Sequence, residues 1–459
     1  MKRFIEPDSV AVIGASGNPG KGGYALVENL KEKFMERLYP VNPQYEEICG
    51  LPCYKTVGDM PEKVDLVIIF VPASTVPEIM EECGQNGLQR VMIQSAGFAE
   101  TGDQGLKLQE QCVNIARKYG IRLWGPNCMG VVNGQSGMVA SFMRHDMFKD
   151  KLRPGNVSLI VQSGMLSAGF LMQILSEGYF GISKTCSIGN RGDINECDLL
   201  EYFTHDPETE VVAMYIESIS DVPRFREAIS RLNRPVVLLK GGISADGARA
   251  ARSHTASMAG DARISEGLFR QLGIIRAWDF LEWMDLTRAL VLWKGKKGGK
   301  RMAVVTFSGA SGIVASDHFA MHGMKLATLS RKTLETLKTI FPAWMKPRNP
   351  VDIWPAIELN GEDAYRVTLE TLLQDPNVDG IYLHLYVHAQ IFDNDLDFLR
   401  PLEGSEKPAA IWPIGDMRFY RTLHDHAGSM GIPVYKEIKR GVQALGIMKR
   451  DPHRPLTSI

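Results

Sequence analysis

The sequence predicts an α/β protein of doubly wound, mostly parallel sheets, arranged in three successive units. Three observations predict it. Short apolar, β-branched runs alternate with helix-length stretches from the first residues to the last. Most of these runs end in turns rich in Gly, Ser, Asn or Pro, the places where such sheets bind ligands. The strand, Gly/Ser turn, helix order of residues 161–175 is echoed weakly from 301, through the turn 308–312 and the helix after it. At 459 residues, 44% hydrophobic and 23% charged, the chain has room for about three domains of roughly 150 residues each.

The first unit, 1–133, opens with Ser9-Val10-Ala11-Val12-Ile13, a short strand that runs into Gly14-Ala15-Ser16-Gly17-Asn18-Pro19-Gly20-Lys21-Gly22-Gly23. A helical pattern follows over 24–37. Strand, glycine turn, helix is the start of a Rossmann unit, where backbone N–H groups and a helix N-terminus hold a phosphate. Further strands end at Asn42-Pro43, at Val71-Pro72-Ala73, at Ser95-Ala96-Gly97-Phe98 and at Gly125-Pro126-Asn127-Cys128. A nicotinamide dinucleotide is disfavoured. Gly14, Ser16 and Pro19 occupy the three fingerprint positions, and Asn42-Pro43 stands where an acidic residue would take the ribose hydroxyls.

Residues 135–154 are polar and without period, and read as a linker or surface hairpin. The second unit, 155–293, begins with the strand 155–161, the turn Gln162-Ser163-Gly164-Met165-Leu166-Ser167 and a helix over 168–177. Ser163 and Gly164 stand at the expected helix start, where orphan N–H groups and the helix dipole favour an anion; an ordinary N-cap serine gives the same pattern. A strand over 210–216 finishes at Glu217. Another, 234–240, leads through Gly241-Gly242-Ile243-Ser244-Ala245-Asp246-Gly247 to Arg249-Ala250-Ala251-Arg252-Ser253-His254-Thr255. Glycine and small neighbours predict a loop there, with an imidazole able to serve as nucleophile, base or ligand. A carboxylate at the neighbouring strand end would fix its tautomer, or would simply join a surface ion pair.

Lys294-Gly295-Lys296-Lys297-Gly298-Gly299-Lys300 reads as a solvated linker before the third unit, 301–459. His318 and His322 are spaced for one helix face but have no third ligand nearby, and His384 and His388 alternate along one face of a strand. Phe341, Trp344 and Met345 read as core or interface.

Net charge is −1 with no basic block, which argues against nucleic acid. No apolar run is long enough to span a membrane, the first residues lack a signal-peptide core, and seven cysteines show no pairing rhythm, so reduced cytoplasm is expected.

Taken together and in order, Val12-Ile13-Gly14-Ala15-Ser16 with Gly20-Lys21, Asn42-Pro43, Val71-Pro72-Ala73, Ser95-Ala96-Gly97-Phe98, Gly125-Pro126-Asn127-Cys128-Met129-Gly130, Gln162-Ser163-Gly164 and Ser253-His254-Thr255 resemble the α subunit of the NDP-forming acyl-CoA synthetases. These are the ADP-forming acetyl-CoA synthetases, of a superfamily shared with succinyl-CoA synthetase, and the resemblance covers nearly the whole chain. It implies a Rossmann-like CoA-binding domain followed by two flavodoxin-like, succinyl-CoA synthetase-like domains. It implies an acid–thiol ligase in which acyl-CoA and phosphate give an acyl phosphate and CoA, and the phosphoryl group then passes through a histidine to ADP. On this resemblance Gly14, Ser16, Gly17, Gly20, Lys21, Asn42, Val71, Pro72, Ser95 and Ala96 border CoA, with Asn127 by the reacting thioester. His254 is the phosphorylated residue, Glu217 orients it, and Ser163 with Gly164 holds its phosphate. No metal falls to this chain. The third domain departs from the family at Ser308-Gly309-Ala310-Ser311-Gly312 and at Trp354.

In this superfamily ADP and Mg²⁺ belong to an ATP-grasp domain, which needs roughly another 200 residues. Only a final helix is expected after Gly431-Ile432-Pro433-Val434-Tyr435. A separate ATP-grasp β subunit is therefore expected, in an α2β2 assembly, with a small carboxylic acid or its CoA ester as substrate. A CoA-binding regulator without turnover is the alternative, opposed by the intact His254 and Glu217; a Rossmann oxidoreductase ranks behind it.

Overall fold

The structure is a computed structural model describing residues 1–255, 262–392 and 396–449, without the side chains of 252–255 and 262. The chain forms two compact units, Met1–Trp283 and a second beginning at Met284.

The first unit starts with β1 (Val10–Ile13) and β2 (Leu38–Val41), followed by a small hairpin of β3 (Glu47–Ile48) and β4 (Leu51–Pro52). β5 (Leu66–Ile69), β6 (Arg90–Ile93) and β7 (Arg122–Trp124) complete an all-parallel sheet in the order β2-β1-β5-β6-β7. All four residues of β1, β2 and β5 are buried, as expected for strands covered on both faces. Ile13 lies level with Val41 on one side and Ile69 on the other, so the three turns that follow open at one height. The strand order reverses at β1, the position where such sheets leave a crevice.

The second sheet contains β8 (Gly130–Asn133), β9 (Met138–Ala140), β10 (Pro154–Val161), β11 (Ile182–Ser187), β12 (Val211–Ile216), β13 (Val236–Lys240) and β14 (Ile275–Ala277). Its order is β14-β13-β12-β10-β11-β8-β9, parallel except where β8 runs antiparallel to β11 and to β9. Residues 135–154, read as a linker or surface hairpin, do enter a hairpin with β8, but its strand β9 is buried in the sheet. Met138–Ala140 is buried, and Asn29 of the helix Gly22–Phe34 donates to the carbonyls of Ser141 at 2.8 Å and Met143 at 2.7 Å. The hairpin carries the chain from one sheet onto the edge of the next. Nearby, the Trp124 indole donates to the Ser187 carbonyl at 2.7 Å, and Gly192 N–H to the Gly125 carbonyl at 2.7 Å. These bonds fix the carboxyl end of β7 beside that of β11.

The other unit contains β15 (Arg301–Thr306), β16 (Lys325–Leu326), β17 (Val351–Asp352), β18 (Gly380–Val387) and β19 (Ala409–Gly415), all parallel. β16 and β17 pair with opposite ends of the same strand, β15. The parallel α/β architecture is the one the strand-turn-helix rhythm predicts.

Candidate functional site

A cleft of ≈ 480 Å³ opens at the carboxyl ends of β1, β2, β5 and β6. Its lining includes Gly14, Ser16, Lys21, Asn42, Val71, Pro72, Ser95 and Ala96. Gly14 has φ +88°, and a Cβ there would sit 2.2 Å from the Phe70 carbonyl oxygen. Gly23, in the first turn of the helix, would drive its Cβ to 2.1 Å from the Gly14 carbonyl oxygen. These glycines bring the β1 turn hard against both the helix and β5, which leaves the helix N-terminus facing the cleft. Asn42 donates to the Ala15 carbonyl at 2.7 Å, and the Ser95 hydroxyl accepts the Val71 N–H at 3.0 Å, so the walls are tied to one another. With Lys21 at the rim, the cleft suits a phosphate-bearing ligand with an extended tail.

Two of the residues expected to border CoA, Gly17 and Gly20, are not in the cleft lining itself. Gly17 packs under the Tyr45 ring, and Gly20 lines an adjacent groove of ≈ 840 Å³ that also holds Phe70, Phe142 and Arg144. Gln44, Tyr45 and Phe70 line the cleft and were not anticipated. Gln44 and Tyr45 closely follow Asn42, and Phe70 precedes Val71, so position next to a strand end is the signal that would have found them.

Asn127 is not part of the cleft lining; it stands between the two sheets. Its backbone has φ +57°, and its side chain donates to Asn190 at 3.2 Å. The Asn127 carbonyl oxygen lies 3.8 Å from a Cβ placed on Gly164, the first residue of the helix Gly164–Glu177. That helix starts four residues earlier than the sequence pattern suggests. Ser163 is its N-cap, yet the hydroxyl makes no capping hydrogen bond, so the first-turn N–H groups are not covered by it. Cys128, fully buried, has its thiol pushed up to about 12 by desolvation and takes no part as a thiolate.

On the other side of Ser163, the Gln162 side-chain oxygen accepts the Glu217 N–H at 2.7 Å. Glu217 is 5% exposed, and the Tyr215 hydroxyl reaches its carboxylate at 3.4 Å. Burial, then that carboxylate, pushes the Tyr215 hydroxyl up to about 12, so it stays a neutral donor. Glu217 is therefore no surface ion-pair residue: it is fixed beside Gly241, where an added Cβ would be 3.3 Å from its Cγ. The chain from there to His254 is helical over Ala245–Thr255, where a loop was expected. The His254 side chain lies outside the described residues.

The other candidate groups resolve differently. His384 is buried against Ser311 and Thr306. His318 lies in the last turn of the helix Gly309–Met321 and His322 is its C-cap. Among the described residues, no group of three or more His, Cys, Asp or Glu could hold a metal ion. No helix of the described residues is long and apolar enough to cross a membrane. Phe341 is core, but Trp344 is 76% exposed.

Comparison with known proteins agrees with this geometry. Residues 8–134 match the CoA binding domain, and 154–290 match the succinyl-CoA ligase-like flavodoxin domain. An acetate–CoA ligase [ADP-forming] II subunit alpha of Pyrococcus furiosus is 41% identical over 82% of this chain and 80% of its own length. The corresponding subunit alpha of ligase I from that organism is 35% identical over 98% of this chain and 97% of its own. The chain belongs to the ADP-forming acetate–CoA ligase family. The fold of this family member matches that of Ca. Korarchaeum cryptofilum acetyl-coenzyme A synthetase 1, solved with phosphate and ADP. The TM-score is 0.86 at 31% identity, covering 97% of this chain and 96% of the other. The chain is thus an acid–thiol ligase, and an oxidoreductase reading of the first sheet falls away.

Proposed function

We propose that this chain is the acyl-transferring half of an ADP-forming acyl-CoA ligase, interconverting acyl-CoA, phosphate and ADP with a carboxylic acid, CoA and ATP. The observation that carries this reading is the junction at Asn127. One loop joins the carboxyl end of the first sheet, whose cleft suits CoA, to the uncapped helix start at Gly164, with Glu217 on the adjoining strand end.

CoA lies in the cleft with its phosphates on the β1 turn and Lys21, and its thioester directed toward Asn127. Gly14, Ser16, Asn42, Val71, Pro72, Ser95 and Ala96 form the walls. A phosphate oxygen attacks the thioester carbon, the C–S bond breaks, and the CoA thiolate leaves and takes up a proton. The resulting acyl phosphate sits over the helix N-terminus, where oriented N–H groups stabilise its charge by about 1 kcal/mol. An imidazole nitrogen of His254 then attacks phosphorus and the carboxylate departs. Glu217 accepts the hydrogen bond of the other ring nitrogen, which fixes the attacking tautomer and compensates the positive charge on the ring. The last product, ATP, forms when an ADP oxygen displaces the imidazole.

We assign ADP and Mg²⁺ to a separate ATP-grasp β subunit in an α2β2 assembly; the designation "subunit alpha" of the relatives supports a partner. The division of labour follows 1–133 for CoA, 155–293 for phosphoryl transfer and 301–459 for a third α/β domain. The test is labelling: acetyl-CoA and ³²P-phosphate are incubated with the chain, and acid-labile, base-stable label is counted. Wild type is expected to carry it and His254→Ala to carry none, with Glu217→Gln labelled at least tenfold more slowly. Label persisting on His254→Ala overturns the assignment. Acetyl-CoA binding with no label on wild type favours a regulator.

A further inference from the structure

Lys240, the last residue of β13, is 8% exposed. Its ammonium donates to the Glu217 carbonyl at 2.6 Å and to the Gly241 carbonyl at 2.5 Å. Glu217 directly follows β12 and Gly241 begins the segment to His254, so one side chain bridges two adjacent strand ends. The Glu217 backbone is also gripped from the other direction. Gln162 takes its N–H, and Arg191 donates to the carbonyl of the next residue, Ser218, at 2.9 Å and to the Ser218 hydroxyl at 2.6 Å.

A lysine is an odd choice for a purely structural staple. Burying its charge is costly, and methionine would fill the same space without that cost. An ammonium earns its place where negative charge arrives during the reaction. We propose that Lys240 is a positioning residue for phosphoryl transfer, tying the strand end that bears Glu217 to the segment that bears His254. This inference rests on the assignment of those two residues above.

The charged groups acting on Lys240 are Arg276 on β14, Glu217 just after β12, Arg191 after β11 and Glu266 on the helix Ala262–Gln271. Burial first, then repulsion by Arg276 and Arg191 against attraction by Glu217 and Glu266, brings the Lys240 ammonium down to about 8. The brace is mostly charged at neutral pH and weakens as pH rises through that value, because a neutral amine donates more feebly to two carbonyls. The labelling rate is therefore expected to fall on the alkaline side in wild type.

The experiment measures single-turnover labelling from acetyl-CoA and ³²P-phosphate between pH 6.5 and 10 in wild type, Lys240→Met and Lys240→Arg. Loss of hydrogen bonds from a charged donor predicts a rate for Lys240→Met roughly 10–100-fold below wild type at pH 7, narrowing to near unity at pH 10. Lys240→Arg, always charged, is expected to label at pH 10 faster than wild type relative to its own rate at pH 7. Half-saturating acetyl-CoA is expected to stay within about twofold in all three, because the cleft belongs to the first sheet. A wild-type to Lys240→Met ratio that does not change with pH overturns the proposal, as does a Lys240→Arg alkaline limb identical to wild type. If Lys240→Met fails to fold, the Lys240→Arg profile decides alone. Absence of label on wild type defeats the phosphohistidine reading instead, so the two failures are distinct.

Discussion

Asn127 donates its side-chain N–H to the side-chain oxygen of Asn190 at 3.2 Å. Asn190 in turn donates to Glu100 at 2.5 Å and to Gln109 at 3.0 Å. The other Glu100 oxygen accepts the N–H groups of Gly97 at 2.6 Å and Phe98 at 3.1 Å. One carboxamide thus couples the loops after β6, β7 and β11, and holds Asn127 between the cleft and the helix start.

Replacing Asn190 cuts that coupling without touching the cleft lining. Asn190→Ala is expected to slow acyl-phosphate formation roughly tenfold, the scale of a misplaced reacting group, while acetyl-CoA affinity changes less than about twofold. Single-turnover phosphorolysis of acetyl-CoA and equilibrium binding separate the two. Equal losses in both would make Asn190 part of the cleft's shape rather than of the reactive end.

The glycines of the cleft give a stability prediction. Gly23→Ala places a methyl group 2.1 Å from the Gly14 carbonyl oxygen and 3.3 Å from the Ser16 nitrogen, where only backbone could give way. The cost is expected to exceed roughly 2 kcal/mol, with CoA binding lost. Gly20→Ala is the control: its Cβ meets only the Asn18 side-chain oxygen, at 3.3 Å. Thermal unfolding with and without CoA checks both, and a Gly23→Ala protein that still binds CoA tightly would show that the turn can open.

What could be read in the sequence follows from how local each signal is. Gly14, Asn42, Val71 and Ser95 each follow directly on an apolar run, so the cleft was legible strand by strand. The burial of β9 in the second sheet was not, because β9 has three residues, too few to show a period. The helix Ala245–Thr255 was read as a loop because Gly241, Gly242 and Gly247 drew more weight than its four alanines, the best helix formers. Asn190 and Lys240 carried no signal. Asn190 meets its partner 63 residues away, and Lys240 looked like the polar end of a buried strand. Contacts between strand ends are made by the fold, and no spacing announces them.

Acid stability of the other unit turns on His384. Its Nδ1 lies 3.1 Å from the Ser311 hydroxyl, its Nε2 is buried without a partner among the described residues, and burial brings the imidazole down to about 3. The fold holds the neutral ring, whereas the unfolded chain binds a proton below about 6.5. Stability from this residue is therefore present above about pH 6.5 and lost as pH falls toward 3, at up to about 1.4 kcal/mol per pH unit. His384→Asn keeps a hydrogen-bonding group near Ser311 and has no such proton to gain. Urea unfolding at pH 7.0, 5.5 and 4.5 should show wild type losing stability faster than the variant; parallel losses would mean the ring is solvated before the unit unfolds.

Gly241 supplies the last prediction, because it separates orientation of Glu217 from its mere presence. A methyl group at Gly241 would meet the Tyr215 hydroxyl at 2.9 Å and the Glu217 Cγ at 3.3 Å. Both are side-chain atoms that can move, so the fold should absorb Gly241→Ala by turning Glu217 away, with stability changed by only about 1 kcal/mol. The carboxylate survives, but it no longer faces the segment that carries His254. Phosphorylation by acetyl-CoA and phosphate is then expected to fall roughly tenfold, close to the loss for Glu217→Gln, and the double variant should be no slower than either single one. That non-additivity is what two changes to one orienting contact produce. Additive losses in the double variant would place the effect of Gly241 in the path of the helix Ala245–Thr255 instead, and would leave Glu217 acting independently of it.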